Sequence, residues 1–229
     1  MNVLVIAAHP DDEVLGCGGA IARYAAEGAF VSILILANGL SSRPDYDPER
    51  DAPLMKLHHE RAERAGILLG AKEIVLAGFP DQKMDTVALL DVTQRIEREI
   101  ARVQPEVIFT HHGGDLNIDH VITFRATLTA ARPTSGRPVK RVYSYEVGSS
   151  TEWSFQNFAP AFHPTMFIDI SGHLDTKIEA MQIYESELRD FPHPRSPDSL
   201  RAQAAFRGAC SGLAAAEAFL TIYDIRKYI

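Results

Sequence analysis

Cysteine is nearly missing from this chain of 229 residues, with only Cys17 and Cys210 present. Two thiols make neither a disulfide framework nor a Cys-x-x-Cys zinc knuckle, and both read as small buried side chains. No apolar run approaches the ~20 residues that span a bilayer. The opening Met1-Asn2-Val3-Leu4-Val5-Ile6 lacks the basic start of a signal peptide and runs straight into a strand pattern. A cytoplasmic location without a membrane partner is therefore the expectation. Positive charge is also in short supply: 23 Lys and Arg face 30 Asp and Glu, a formal net charge of −7. That balance argues against a broad nucleic-acid surface. There is no Gly-x-Ser-x-Gly elbow for a serine hydrolase. Nor is there an internal repeat, a low-complexity tract or a linker, so a single domain over residues 1–229 is expected.

What the chain does have is a regular alternation of apolar strands and amphipathic helices. Val3 to Ala8 and Phe30 to Leu36 are continuous apolar runs, the pattern of strands buried on both faces. Shorter strands are expected at 73–76, 107–110, 139–145 and 166–170. Helices are expected at about 14–27, 54–69, 86–103, 118–132, 174–187 and 200–210, and 38–51 reads as a surface loop. This order predicts a three-layer α/β/α sandwich with a mostly parallel, Rossmann-like sheet.

Ligands of such sheets bind outside the carboxyl ends of the strands. Two loops there are rich in His and Asp: Ala8-His9-Pro10-Asp11-Asp12-Glu13 and His111-His112-Gly113-Gly114-Asp115-Leu116-Asn117-Ile118-Asp119-His120. A dinucleotide fold would place Gly-x-Gly-x-x-Gly in the first of them. Three carboxylates there would repel a phosphate and suit a divalent cation. Gly16, Gly18 and Gly19 fall later, inside the first helix, where they allow close packing. His9 and Asp12 can grip one ion across a turn, and His120 can supply a third ligand from the other loop. Two imidazoles, one carboxylate and an open position are the ligand set of catalytic zinc, which makes hydroxide available near neutral pH. Iron(II) suits the same donors. Asp11, beside a ligand but free to point elsewhere, is the candidate general base. The competing explanation is that Asp11, Asp12 and Glu13 merely cap a helix.

His9-Pro10-Asp11-Asp12-Glu13 after a strand, with Leu15-Gly16-Cys17-Gly18-Gly19 behind it, resembles the signature of the PIG-L/LmbE-like deacetylases. The segment Asp115 to His120 resembles that family's second metal motif. Weaker similarity runs through Phe79-Pro80-Asp81, Tyr145-Glu146-Val147, Pro192 to Ser196 and Ala216 to Phe219, so the resemblance covers nearly the whole chain. It implies zinc on His9, Asp12 and His120, Asp11 as base, and removal of N-acetyl groups from acetylglucosamine-type substrates. Such substrates include precursors of small thiols and glycolipids, oligosaccharides and antibiotics. It also implies that Asp81 accepts a substrate hydroxyl and that a homo-oligomer is possible.

The chain departs from the pattern at two positions. Asn117 stands where several relatives carry a charge-stabilising His, so it can bind substrate by hydrogen bonding but cannot carry a proton. The general-acid role then moves to His193, with Asp11 as the alternative proton donor, and Arg195 either contacts a charged part of the substrate or caps nearby helix carbonyls. His58 stands where relatives often have Arg. Two alternatives remain at this stage: a nucleotide-dependent oxidoreductase or transferase on the same scaffold, and a non-catalytic sugar-binding module.

Overall fold

Residues 2–7 form β1 (Asn2–Ala7), and their period of two sends Val3, Val5 and Ala7 into one core and Leu4 and Ile6 into another. Burial on both faces is why the run is apolar without alternation. The structure is a computed structural model that describes residues 1–42, 44–134 and 138–226. After β1 come α1 (Asp12–Ala26), β2 (Phe30–Ala37), α2 (Ala52–Leu68), β3 (Glu73–Phe79), α3 (Leu89–Val103), β4 (Val107–His111), α4 (Ile118–Ala130), β5 (Arg141–Tyr145), β6 (Met166–Asp169), α5 (Leu174–Ile183), α6 (Pro197–Ala209) and β7 (Ala216–Asp224). No helix among the described residues is long and apolar enough to cross a membrane.

All seven strands join one sheet in the order β3-β2-β1-β4-β5-β7-β6. The first five of that order run parallel, and β7 is antiparallel to both its neighbours. Helices α1, α2, α5 and α6 cover one face, where Leu15, Ile21, Ala65, Met181 and Leu200 pack on Val5 and Phe109. Helices α3 and α4 cover the other, through Val92, Ile96, Ile100 and Ala126. The three-layer expectation is met.

Several boundaries differ from those read in the sequence. β7 was not expected, because Glu217 interrupts its apolar run; the structure buries that carboxylate against Lys177 at 2.6 Å. α5 stops at Ile183 because Tyr184 leaves helical geometry (φ −86°, ψ 53°). Cys17 is buried as expected, but Cys210 is exposed just beyond α6.

α1 is broken at Cys17 (φ −150°, ψ 25°). Glu217 accepts the N–H groups of Gly19 and Ala20 on the far side of the break, and Lys177 Nζ donates to Leu15 O on the near side. Gly16 lies where a Cβ would be 2.2 Å from the Tyr145 ring, and the Tyr145 hydroxyl is fixed on Ile6 O at 2.8 Å. This close approach holds the first turn of α1 down on the sheet.

Candidate active site

From β1 the chain winds outward through β2 and β3, then returns to lay β4 on the other side of β1. The strand order reverses between β1 and β4, which opens a crevice at their carboxyl ends. The two His- and Asp-rich loops leave from those ends. They meet in a cavity of about 350 Å³ whose lining includes His9, Asp11, Asp81, Asn117, His120 and Arg195.

Asp12 is the centre of the cluster. Its Oδ2 lies 3.1 Å from His9 Nδ1 and 3.2 Å from His120 Nε2, and it accepts the His9 N–H at 2.8 Å. The ligand atoms of His9, Asp12 and His120 all lie within 4.8 Å of one another, and all three residues are buried. Outer carboxylates hold the far nitrogen of each ring. His9 Nε2 faces Asp119 Oδ2 at 3.1 Å, and His120 Nδ1 faces Asp115 Oδ1 at 3.2 Å. The outer nitrogens are thus taken by these carboxylates, and His9 Nδ1 and His120 Nε2, which face Asp12, are the nitrogens that would offer lone pairs to a metal once their protons leave. His120 Nε2 is buried with no hydrogen-bond partner. An orphaned ring nitrogen beside a carboxylate fits a metal ion.

His9, Asp81 and Asp119 form a second group of comparable spacing. It uses the opposite nitrogen of His9, so an ion in each group at once would require that ring to lose both protons. The first group leaves the outer hydrogen bonds intact and is the better donor set.

Charge in the cluster follows from this crowding. Burial works against protonation of His9, but Asp119 and Asp12 prevail and raise its pKa to about 10. Burial likewise opposes protonation of His120, yet Asp12 and Asp115 carry it to about 9. Burial works against ionisation of Asp12, while His120 and His111 hold it well below the usual carboxylate range. Asp115 is held at about 2 despite burial, by His120 and by the hydroxyls of Ser150 and Thr151. His111, under α4 with its ring stacked on His120 at 3.9 Å, is driven down to about 4 by burial and by that neighbour. Its Nε2 accepts from Ala8 N at 2.8 Å, pinning the end of β1.

Asp11 precedes α1 with φ 116° and ψ −28°, and its side chain makes no cap hydrogen bond. It is therefore not the helix cap that composition alone would favour. Its Oδ2 instead accepts from Arg195 Nη1 at 2.9 Å. Burial pushes its pKa well up, and the Arg195 guanidinium opposes that rise. Asn117 does act as a cap, its Oδ1 accepting from Asp119 N at 2.9 Å, while it also lines the cavity.

Asp81 is buried at the cavity wall, where it accepts from Ser42 Oγ at 2.7 Å and faces His9 Nε2 at 3.4 Å. Arg195 reaches the cavity, but it spends donors on Asp11, on Ser149 Oγ at 2.8 Å and on Glu187 at 3.3 Å. His193 is not brought in. Its Nδ1 accepts the Arg195 N–H at 3.1 Å, its ring stands edge-on to Trp153, and it is absent from the cavity lining. His58 is buried in the lining.

Asp115, Asp119 and His111 were not assigned roles in the sequence. The signal was there for the two carboxylates: a ligating His needs an acceptor behind it, and both share a loop with His120. Nothing in the sequence distinguished His111 from its neighbour His112.

Known proteins resemble this chain to different degrees. The chain is 26% identical over 248 residues to the diacetylchitobiose deacetylase of Thermococcus kodakarensis, covering all of this chain and 85% of that protein. It is 28% identical over 193 residues to the 4-oxalmesaconate hydratase of Pseudomonas putida, covering 79% and 72%. The crystal structure of a conserved protein from Thermus thermophilus superposes with a TM-score of 0.76 at 26% identity, covering 99% and 96%. The model of the PIG-L family, described as GlcNAc-PI de-N-acetylase, matches residues 4–131, more than half of the chain, and the chain belongs to that family.

Proposed function

We propose that the protein is a metal-dependent hydrolase that removes the N-acetyl group from an amino sugar of the N-acetylglucosamine type. The observation that carries this reading is the pairing of a buried His-Asp-His donor set with an adjacent carboxylate, Asp11, that is released from helix capping. His9, Asp12 and His120 would hold the ion, with zinc the first choice and iron(II) the alternative. When bound, such an ion polarises an amide carbonyl and makes a water nucleophilic near neutral pH.

The remaining work falls to the chain's own groups. Asp11 takes a proton from the attacking water on its carboxylate and returns it to the departing amine, acting as base and then acid. Arg195 holds that carboxylate by one oxygen and leaves the other to the reaction. Asn117 offers its amide N–H to the oxygen that gains charge at the acyl carbon, since its own oxygen is committed to α4. Asp81 accepts a sugar hydroxyl with the lone pairs that Ser42 and His9 leave unused. His193 is given no part in this scheme, since its Nδ1 accepts from the Arg195 N–H and its ring stands edge-on to Trp153.

The deacetylase of Thermococcus kodakarensis supports the substrate class. The hydratase relative supports a second reading, in which the same site adds water to an unsaturated dicarboxylate. A screen of metal-reconstituted protein against N-acetylglucosamine, diacetylchitobiose and an unsaturated dicarboxylate separates them. Acetate release from either sugar supports the proposal; water addition without acetate release refutes it. In the same assay Asp11→Asn should keep its metal stoichiometry and lose about 10²–10⁴ in turnover, and wild-type turnover in that variant would remove the base assignment.

A further inference from the structure

Asp11 has a backbone conformation that a residue with a side chain rarely adopts, φ 116°, so something must impose it. Its carbonyl accepts from Val14 N and Leu15 N at 3.0 and 2.9 Å, as any helix start would arrange. The unusual contact is on its N–H, which donates to Glu13 Oε2 at 3.1 Å. The other oxygen of Glu13 accepts from the Tyr184 hydroxyl at 2.6 Å. Glu13 is 1% exposed and Tyr184 2%. Among the described residues neither Glu13 oxygen has a cationic partner, which is an expensive way to bury a carboxylate for packing alone.

We propose that Glu13 and Tyr184 are positioning residues that lock the Asp11 peptide in its left-handed turn and so aim the Asp11 carboxylate into the cavity. Tyr184 closes α5, and it reaches Glu13 from a different helix, so the lock ties the aim of Asp11 to the packing of α5 on α1. With the acceptor gone, the Asp11 peptide relaxes to negative φ, its side chain turns to cap α1, and the bond to Arg195 is lost. Glu13 moves no proton in this account; only its acceptor geometry is used.

The inference rests on Asp11 being the working group of the deacetylase reading, and the test separates the two. Glu13→Gln keeps both hydrogen bonds, since the amide oxygen can accept from Asp11 N and the amide nitrogen can donate to Tyr184 Oη. Glu13→Met keeps the volume and loses both. Per metal-loaded protein, Glu13→Met should lower kcat on an N-acetyl sugar about 100-fold, the scale of an ångström's misplacement, with KM within about twofold. Glu13→Gln should stay within about threefold of wild type, and Tyr184→Phe, which spares the fold if Glu13→Met does not, should lose about tenfold.

In an Asp11→Asn background the Glu13→Met change should cost no further turnover, because the group it positions is already disabled. A purely structural Glu13 would lower Tm and leave kcat per folded molecule unchanged; a proton-carrying Glu13 would make Gln as damaging as Met. Either result overturns the proposal. A crystal structure of Glu13→Met or Tyr184→Phe gives a readout independent of substrate. Negative φ at Asp11 is expected; retention of positive φ and of the Arg195 contact in both variants would sink the lock even if no acetylated sugar proves to be a substrate.

Discussion

At the scale of single residues, Asp11 decides between the two explanations that its composition permits. Carboxylates at a helix start usually cap it, and giving up a cap costs about 1 kcal/mol. Asp11 gives up the cap, takes a conformation worth a further ~1–3 kcal/mol of strain, and places its carboxylate against Arg195. His9, Asp12, Asp11 and His120 could be singled out as candidates in the sequence because they are local to two motifs, and the structure brings them to one cluster. The carboxylates behind the histidines were harder to assign, since which Asp faces which ring depends on how two loops cross. His193 is a different case: its residue type suggested acid chemistry, while its Nδ1 accepts from the Arg195 N–H and its ring stands edge-on to Trp153. Asp119 carries the prediction at this scale. Its Oδ2 faces His9 Nε2, and its Oδ1 accepts from Met84 N at 3.0 Å. Asp119→Ala should weaken metal affinity about 10–100-fold, measured by competition with a chromogenic chelator, and Asp119→Asn should lose less. Unchanged affinity in the Ala variant would show that His9 is oriented without it.

At the scale of elements, the first turn of α1 is held from behind by a buried ion pair on α5 and β7. Lys177 and Glu217, each about 5% exposed, bridge the break at Cys17 by satisfying backbone groups on its two sides. Removing one partner of a buried pair leaves the other uncompensated, a loss of about 3–5 kcal/mol. Lys177→Met should therefore lower stability by that amount in urea unfolding, and the Lys177→Met/Glu217→Gln pair should cost less than the sum of the two single changes. Additive losses would mean that the two groups act separately. The sequence marked Gly16 and Gly19 as packing glycines, and they are; Tyr145 and Ile170 occupy the space a side chain would need. It did not reveal β7, because a strand with a buried charge in its first residues looks like neither a core strand nor an alternating one until its partner on α5 is known.

At the scale of the whole molecule, the fold was legible from the alternation of strands and helices, and the candidate site was placed by the rule that ligands of such sheets bind outside the carboxyl ends of the strands. The order of the sheet beyond β5 was not, since the antiparallel insertion of β7 between β5 and β6 depends on contacts far apart in the chain. The cluster at the switch point also sets a pH dependence. With pKa values raised to about 10 and about 9, His9 and His120 hold their ring protons in the metal-free protein near neutral pH. A metal must displace one proton from each, so apparent affinity should rise with pH up to about 9–10 and fall as pH drops. Zinc uptake near pH 7.5 should release about two protons, read from calorimetric heats in buffers of different ionisation enthalpy. At a hundredfold excess over Kd the ion should add about 2.7 kcal/mol of stability, roughly 5–10 °C in Tm for a chain of this length. Uptake with no proton release would contradict the charge state assigned to the two rings.

The most direct test of the account follows the oxygen atom. Metal-reconstituted protein is incubated with diacetylchitobiose in ¹⁸O-water, and acetate and sugar are analysed by mass spectrometry. The prediction is one ¹⁸O in each acetate, none in the sugar beyond the anomeric exchange of an enzyme-free control, one free amine per acetate, and loss of the acetate signal in Asp11→Asn. Label in the sugar above that control, or metal-loaded protein that yields no labelled acetate, would contradict it.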